Sequence, residues 1–245
     1  MSTPRPVALV TAAARRIGAA IARELHAAGY DLVLHAHRSQ DKLHALAGDL
    51  QTRRAGSILA VQADLRDDAA PADLVGQGMA RFGRLDALVN NASGFYPTPL
   101  GQATPAQWDE LFAVNARAPF FLAQAAAPHL RRQHGAIVNL TDLHARQPLA
   151  NHAIYSAAKA ALAMLTRSLA LELAPDVRVN AVAPGAILWP EQGKDDASKQ
   201  QILARTPLRR TGTAQEVAEA VCWLIRDAGF ITGQTLNLDG GRELS

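Results

Sequence analysis

Short apolar runs alternate with longer stretches of helical period along the whole chain, and this alternation narrows the fold more than any other feature. The runs are PVALVT at 6–11, DLVLHAH at 31–37, ILAVQAD at 58–64, LDALVNN at 85–91, GAIVNLT at 135–141, VRVNAVA at 177–183 and QTLNLDG at 234–240. Several are apolar at nearly every position rather than at alternate ones, as strands covered on both faces must be. Between them lie segments of helical spacing, such as Ile17 to Ala28 and Pro105 to Val114. Strand and helix in repetition predict an α/β fold, a doubly wound parallel sheet with helices on both faces. With 245 residues and 49% apolar content, the chain can bury such a core. No linker, repeat or low-complexity segment divides it, so one domain over 1–245 is expected. The one long irregular stretch, 184–210, is rich in Pro, Gly and charge and is read as a substrate lid loop with a short helix inside it.

Charge and cysteine content exclude several classes. The net charge is +3, and although the pI is about 9.3, Lys and Arg are scattered rather than striped, so no nucleic-acid partner is expected. A single cysteine, Cys222, rules out an intrachain disulfide, and its place in EVAEAVCWLI reads as a packed core thiol. No apolar run is long enough to span a bilayer. The apolar patch near the N-terminus meets Arg15 and Arg16 too soon for a cleavable signal, so a cytoplasmic protein with no membrane partner is expected. His35, His37 and the other histidines show no metal-ligand spacing, and no metal is expected.

In open parallel sheets, ligands sit beyond the carboxyl ends of the strands. The segments to read are therefore Thr11 to Gly18, His37 to Ser39, Asp64 and Leu65, Asn90 to Pro99, Thr141 and Asp142, and Pro184 onward. The first is VTAAARRIG. A phosphate-binding turn of this kind normally carries three glycines; here only Gly18 remains, with Ala12 at the first position and Arg16 at the second. An alanine at that first position is expected to avoid positive φ. Further on, IYSAAKAAL sets Tyr155 and Lys159 four residues apart, on one face of a helix. An ammonium beside a phenol stabilises the phenolate and is expected to draw its pKa toward working pH, which makes a usable acid or base. NNAS at 90–93 ends one strand, Asn115 falls in a further helix, and Pro184-Gly185 ends the sixth run.

Taken together, these features resemble the short-chain dehydrogenase/reductase family over nearly the whole chain. The resemblance implies a seven-stranded Rossmann sheet, a nicotinamide dinucleotide and a catalytic set of Asn, Ser, Tyr and Lys. It implies Tyr155 as proton donor. It implies that Lys159 holds the nicotinamide ribose and tunes Tyr155, and that Asn115 anchors a water relaying protons from Lys159. Asp64 is expected at the adenine and Asn91 near the cofactor backbone.

Two departures narrow the resemblance. Thirteen residues before the tyrosine, where the family has serine, stands Asp142, and the turn carries Arg16 in place of glycine. With NNASGFYPTPL and HAHRS these are similar to the pteridine reductase branch, matching at Arg16, Ser93, Phe95, Tyr96, Pro97, Thr98, Asp142, Tyr155 and Lys159. That branch implies a stacked, flat pterin on Phe95 and hydrogen bonds from Ser93 and Arg16 to pterin edge and cofactor phosphate, Arg16 serving both through its planar fork. A serine hydroxyl donates to a carbonyl oxygen as it becomes an alkoxide; an ionised aspartate cannot. A C=N nitrogen instead needs a proton as hydride arrives at carbon. Asp142 either keeps the Tyr155 phenol protonated or is itself protonated in an apolar pocket.

At the end of the second strand no acid stands where one would bind a ribose hydroxyl; His37, Arg38 and Ser39 suit a 2′-phosphate, so NADPH is the expected cofactor. Its contacts are expected from Thr11, Arg16, Ile17 and Gly18, from His37, Arg38 and Ser39, and from Asp64 and Leu65. Further contacts are expected from Asn91, Ala92 and Ser93, and from Lys159, Pro184 and Gly185. Substrate contacts are expected from Arg16, Ser93, Phe95, Asp142 and Tyr155, and catalysis from Asp142, Tyr155, Lys159 and Asn115. The expected activity is reduction of a dihydropterin or dihydrofolate to the tetrahydro form, with oxidised pterins as further candidates. The alternative is an NADPH-dependent reductase of 3-oxoacyl groups or ketones. The helices APFFLAQAAAPHLRR and YSAAKAALAMLTRSLALELA are apolar nearly all round, which points to burial by other subunits, and the resemblance implies a homotetramer.

Overall fold

The computed structural model describes residues 4–187, 189 and 196–245. Among them, seven strands form one parallel sheet: β1 (Val7–Val10), β2 (Asp31–Ala36), β3 (Ile58–Gln62), β4 (Ala87–Asn90), β5 (Ala136–Leu140), β6 (Arg178–Pro184) and β7 (Thr235–Leu238). Their spatial order is β3-β2-β1-β4-β5-β6-β7, all neighbours parallel. This is the Rossmann arrangement, with the order reversing between β1 and β4.

The near-continuous apolar runs are explained by two cores, one on each face. In β1, Ala8 and Val10 point into one core and Val7 and Leu9 into the other. The first core is closed by α1 (Arg16–Ala27), α2 (Gln40–Arg53) and α8 (Ala214–Arg226); Cys222 of α8 is buried there. The second is closed by α3 (Ala70–Phe82), α5 (Ala118–Gln133) and α6 (Ala153–Leu173). α1 begins and ends one residue before the expected Ile17 to Ala28.

The helix expected over Pro105 to Val114 starts as predicted, on a Thr104–Gln107 capping box with proline in the first turn. As an α-helix (α4) it ends at Phe112, and a π-helical turn at Ala113–Arg117 joins it to α5. Pro119 supplies the reason. It has no N–H to close the i→i−4 bond onto the Asn115 carbonyl, so the ladder must be rebuilt there. Asn115 thus lies in this widened turn rather than in a regular helix.

The stretch 184–210 opens with the end of β6 and contains α7 (Asp196–Ala204). Residues 188 and 190–195 of the expected lid lie outside the described residues. On α5 and α6, Phe121, Met164 and Leu171 are exposed, Leu171 at 81%, so within one chain these helices are not covered all round.

Candidate active site

The turn after β1 is held by hydrogen bonds rather than by glycines. Thr11 Oγ1 donates to the Val89 carbonyl (3.3 Å) and accepts from Asn91 N and Ala92 N, both at 2.9 Å. The Asn91 amide donates back to the carbonyls of Thr11 (2.9 Å) and Ala12 (3.2 Å). His35 Nδ1 accepts from Ala12 N at 3.2 Å while Nε2 meets the Ala63 carbonyl at 3.0 Å. That pattern is one neutral tautomer, and burial lowers the His35 pKa, which keeps it neutral. Ala12 does not avoid positive φ as expected; it sits at φ 49°, and Arg16 at φ 53°. Ala12 is held in the left-handed region by hydrogen bonds on both its N–H, to His35, and its carbonyl, from Asn91. At Gly18 a glycine is required for a different reason. An added Cβ would lie 2.3 Å from the Ala12 carbonyl oxygen and 2.6 Å from the Asn91 amide nitrogen.

Among the described residues, two cavities flank the first turn at the carboxyl ends of the strands. The smaller, about 300 Å³, runs along β1, β2 and β3 and is lined by His37, Arg38, Ser39, Asp64, Leu65 and Ala92. Arg38 is exposed, and among the described residues it makes no ion pair. Ser39 precedes α2 with no side-chain capping bond. Asp64 is engaged. Arg66 forks onto its carboxylate through Nε at 3.0 Å and Nη2 at 2.6 Å, and His37 lies 3.4 Å away. The Arg66 hydrogen bond draws the Asp64 pKa down to about 2, against a smaller opposing cost of burial. The acid expected at the adenine is therefore charged but already neutralised by Arg66.

The larger cavity, about 620 Å³, is bounded by Arg16 and Ile17 from the first turn, Asn91, Ser93 and Phe95 after β4, Asp142 after β5, Tyr155 and Lys159 of α6, and Pro184 and Gly185 after β6. Ser93 lines both cavities. Thr11 and Gly18 shape the turn from beneath, and Asn115 likewise lines neither cavity. The Asn115 side chain is fully buried. It donates to the carbonyls of Leu111 (2.9 Å) and Gly94 (3.0 Å) and accepts from Ser93 Oγ at 2.8 Å. Its visible work is to hold the loop that carries Ser93 and Phe95.

In this cavity the Tyr155 hydroxyl donates to Asp142 Oδ2 at 2.7 Å. Oδ1 of Asp142 accepts from the His144 backbone N–H at 2.8 Å, capping the short 3₁₀ segment Leu143–Ala145. Tyr155 is buried; burial first, and the Asp142 carboxylate second, push its pKa well above the ordinary tyrosine value. The lowering expected from Lys159 does not occur. Lys159 Nζ lies 5.9 Å from the Tyr155 ring centroid and donates to the Leu140 carbonyl at 2.8 Å. At 2% exposure its own pKa falls to about 8, because burial disfavours the ammonium, with Asp142 opposing. Phe95, 55% exposed, stacks on His152 at 4.7 Å and meets the Tyr155 ring edge-on at 4.8 Å.

Several wall residues escaped the sequence reading: Arg15, which lines both cavities, Arg66 in the smaller, and His144 and Arg242 in the larger. Arg15 and Arg66 are neighbours of residues that were named; Arg242 is far from them in sequence and left no signal. Among the described residues no group of three or more His, Cys, Asp or Glu could hold a metal ion, and no helix is long and apolar enough to cross a membrane.

The family model described as Enoyl-(Acyl carrier protein) reductase matches residues 12–243. Pteridine reductase 1 of Leishmania tarentolae is 39% identical, with 100% of this chain and 98% of that protein covered. A 3-oxoacyl-[acyl-carrier-protein] reductase of Staphylococcus aureus is 36% identical, with 96% of each chain covered.

Proposed function

The chain belongs to the short-chain dehydrogenase/reductase family and is an oxidoreductase, and from that premise we propose that it reduces pteridines with NADPH. The observation that carries this reading is the 2.7 Å hydrogen bond from the Tyr155 hydroxyl to Asp142. A carboxylate that accepts on both oxygens, from Tyr155 and from His144 N, has no hydrogen to offer a carbonyl oxygen and would repel the alkoxide formed from it. It suits a substrate whose basic nitrogen must receive a proton.

The residues present fit the cofactor. Gly18 lets α1 start close against the turn, where a Cβ would collide with the Ala12 carbonyl oxygen, and Arg38 with Ser39 offers a charged donor and a hydroxyl at the end of β2, without a carboxylate of their own to oppose a 2′-phosphate. NADPH held there would supply a hydride to the carbon of a C=N bond. Tyr155 holds a proton at its hydroxyl, kept there by burial and Asp142, and Tyr155 with Asp142 delivers it to the nitrogen. Lys159 does not lower the Tyr155 pKa in the resting site; its Nζ, 5.9 Å from the Tyr155 ring centroid, offers a buried positive charge to the phenolate that proton delivery leaves behind. Phe95 gives a flat bicycle an exposed ring to stack on, and Arg16 and Ser93 reach its polar edge. The exposed Phe121, Met164 and Leu171 are the apolar surface a homotetramer would cover.

Reduction of 3-oxoacyl groups or ketones is the second reading, favoured by the similarity to the Staphylococcus aureus protein and opposed by Asp142. The deciding experiment follows NADPH consumption with dihydrobiopterin, dihydrofolate and a ketone panel, for wild type and Asp142→Ser. Pterin turnover by wild type that is lost in the variant supports imine reduction. Wild type inert on both pterins but active on ketones overturns it.

A further inference from the structure

Arg242 enters the larger cavity from the opposite end of the chain, just after β7. The end of β7 passes close over the end of β6, where a Cβ on Gly185 would lie 2.8 Å from Asp239 Cα. The segment that follows is clamped. Asp239 accepts from Gly241 N at 2.9 Å and Glu243 N at 2.7 Å, Gln147 donates to the Glu243 carbonyl at 2.6 Å, and Arg146 pairs with the Glu243 carboxylate at 2.8 Å. Arg242 lies between these fixed points, partly buried, on the same cavity wall as Asp142.

Every nearby carboxylate is already occupied. Asp239 caps two backbone N–H groups, Glu243 holds Arg146, and Asp142 accepts from Tyr155 and His144. Among the described residues the Arg242 guanidinium has no hydrogen-bond or ion-pair partner. Burial lowers its pKa, and Asp142 is the charge that most opposes this. A partly desolvated cation with five donors and no acid of its own is a poor structural element and a ready anion site.

We propose that Arg242 is an anion subsite of the substrate cavity, and that it selects pterins whose arm carries a carboxylate over pterins whose arm is neutral. This rests on the pteridine reading. The ring would lie against Phe95 and the Tyr155–Asp142 pair, with the arm directed along the wall that Arg242 closes. A carboxylate there receives a charge-assisted bond that a hydroxylated arm cannot equal.

The test measures kcat and KM for dihydrofolate, with its carboxylate arm, and dihydrobiopterin, with its neutral arm, in wild type, Arg242→Gln and Arg242→Lys. In Arg242→Gln the ratio of the two kcat/KM values should move against dihydrofolate by about ten- to a hundred-fold, through KM, and Arg242→Lys should recover part of it. In wild type, with no substitution at all, added salt should raise KM for dihydrofolate more than for dihydrobiopterin. An unmoved ratio, a fall confined to kcat, or a matching loss of NADPH affinity by fluorescence titration overturns the assignment, and so does a dihydrofolate KM indifferent to salt. Wild type inert on both pterins sinks the pteridine reading and this inference together; wild type active on both with the ratio unmoved sinks this inference alone.

Discussion

The two cavities share a turn and treat charge in opposite ways. In the smaller one, the ionic groups lie near solvent and balance one another, as Arg66 does Asp64, or stand exposed, as Arg38 does. In the larger one, Tyr155 and Lys159 are both buried, one forced to stay neutral and the other brought down to a pKa of about 8 and still mostly charged at neutral pH. An exposed charge is screened, so it adjusts affinity; a buried charge decides which protonation state exists at all. On the proposed function the first region serves recognition and the second proton transfer, so substitutions should separate them: kcat at the buried site, cofactor choice at the open one.

The largest effect is expected from Tyr155→Phe, which removes the proton and keeps the ring. Turnover of a pterin should fall by roughly a thousand-fold, while NADPH binding, followed by fluorescence, stays close to wild type. A variant retaining a tenth of the activity would place the proton donor elsewhere. Asp142→Asn comes next, at about a hundred-fold in kcat. Because Asp142 is one of the groups holding the phenol protonated, the same variant should lower the Tyr155 pKa in an ultraviolet titration. A titration that does not move would leave burial as the whole cause.

Lys159 gives a prediction in pH. With its pKa brought down to about 8, the ammonium proposed to face the phenolate is lost above that point, and on that proposal kcat/KM should fall about tenfold per pH unit beyond it. Stability moves the other way. Between about 8 and the ordinary value of 10.5 the unfolded chain holds a proton that the folded chain has released, so this residue's contribution to stability rises with pH across that window. Activity that declines while the folded state is not weakened distinguishes loss of the ammonium from unfolding. A rate profile flat to pH 9.5 would contradict the lowered pKa.

At the open region the effects are smaller. Arg38→Ala should shift the preference for NADPH over NADH by about tenfold, through KM. Equal losses with both cofactors would mean that Arg38 does not read the phosphate.

How much of this was legible in the sequence follows the same division. Strand positions could be read because both faces of the sheet are buried, so Val7 to Val10 are apolar without a break. Residues lining the larger cavity could be anticipated because a parallel sheet gathers its carboxyl ends on one side, where Asp142 follows β5 and accepts from Tyr155 of α6. The direction of the Tyr155 pKa could not be read from its spacing to Lys159, since burial, a property of the folded whole, outweighs the neighbour. The Arg66 fork on Asp64 and the stack of His152 on Phe95 depend on side-chain rotamers. Arg242 reaches the cavity only because β7 lies beside β6, a pairing that no local pattern around residue 242 encodes.

The smallest expected effect tests whether the first turn is set by its own residues or by what surrounds it. Ala12 holds φ 49° with its N–H bonded to His35 and its carbonyl to Asn91. A residue with a Cβ in the left-handed region costs about 1–2 kcal/mol. Ala12→Gly removes that cost but gives the unfolded chain more freedom, worth about 0.4–1 kcal/mol. The net gain therefore lies between about 0 and 1.6 kcal/mol, and its middle value of about 0.8 kcal/mol is a rise of roughly 2 °C in Tm for a chain of this size. Thermal unfolding without cofactor measures it. A rise means that the hydrogen bonds from His35 and Asn91 impose the turn against the preference of alanine, and that the glycine pattern can be lost because its job is done by neighbours. A fall would mean that the alanine methyl has packing of its own to contribute and that the strain is smaller than its φ implies.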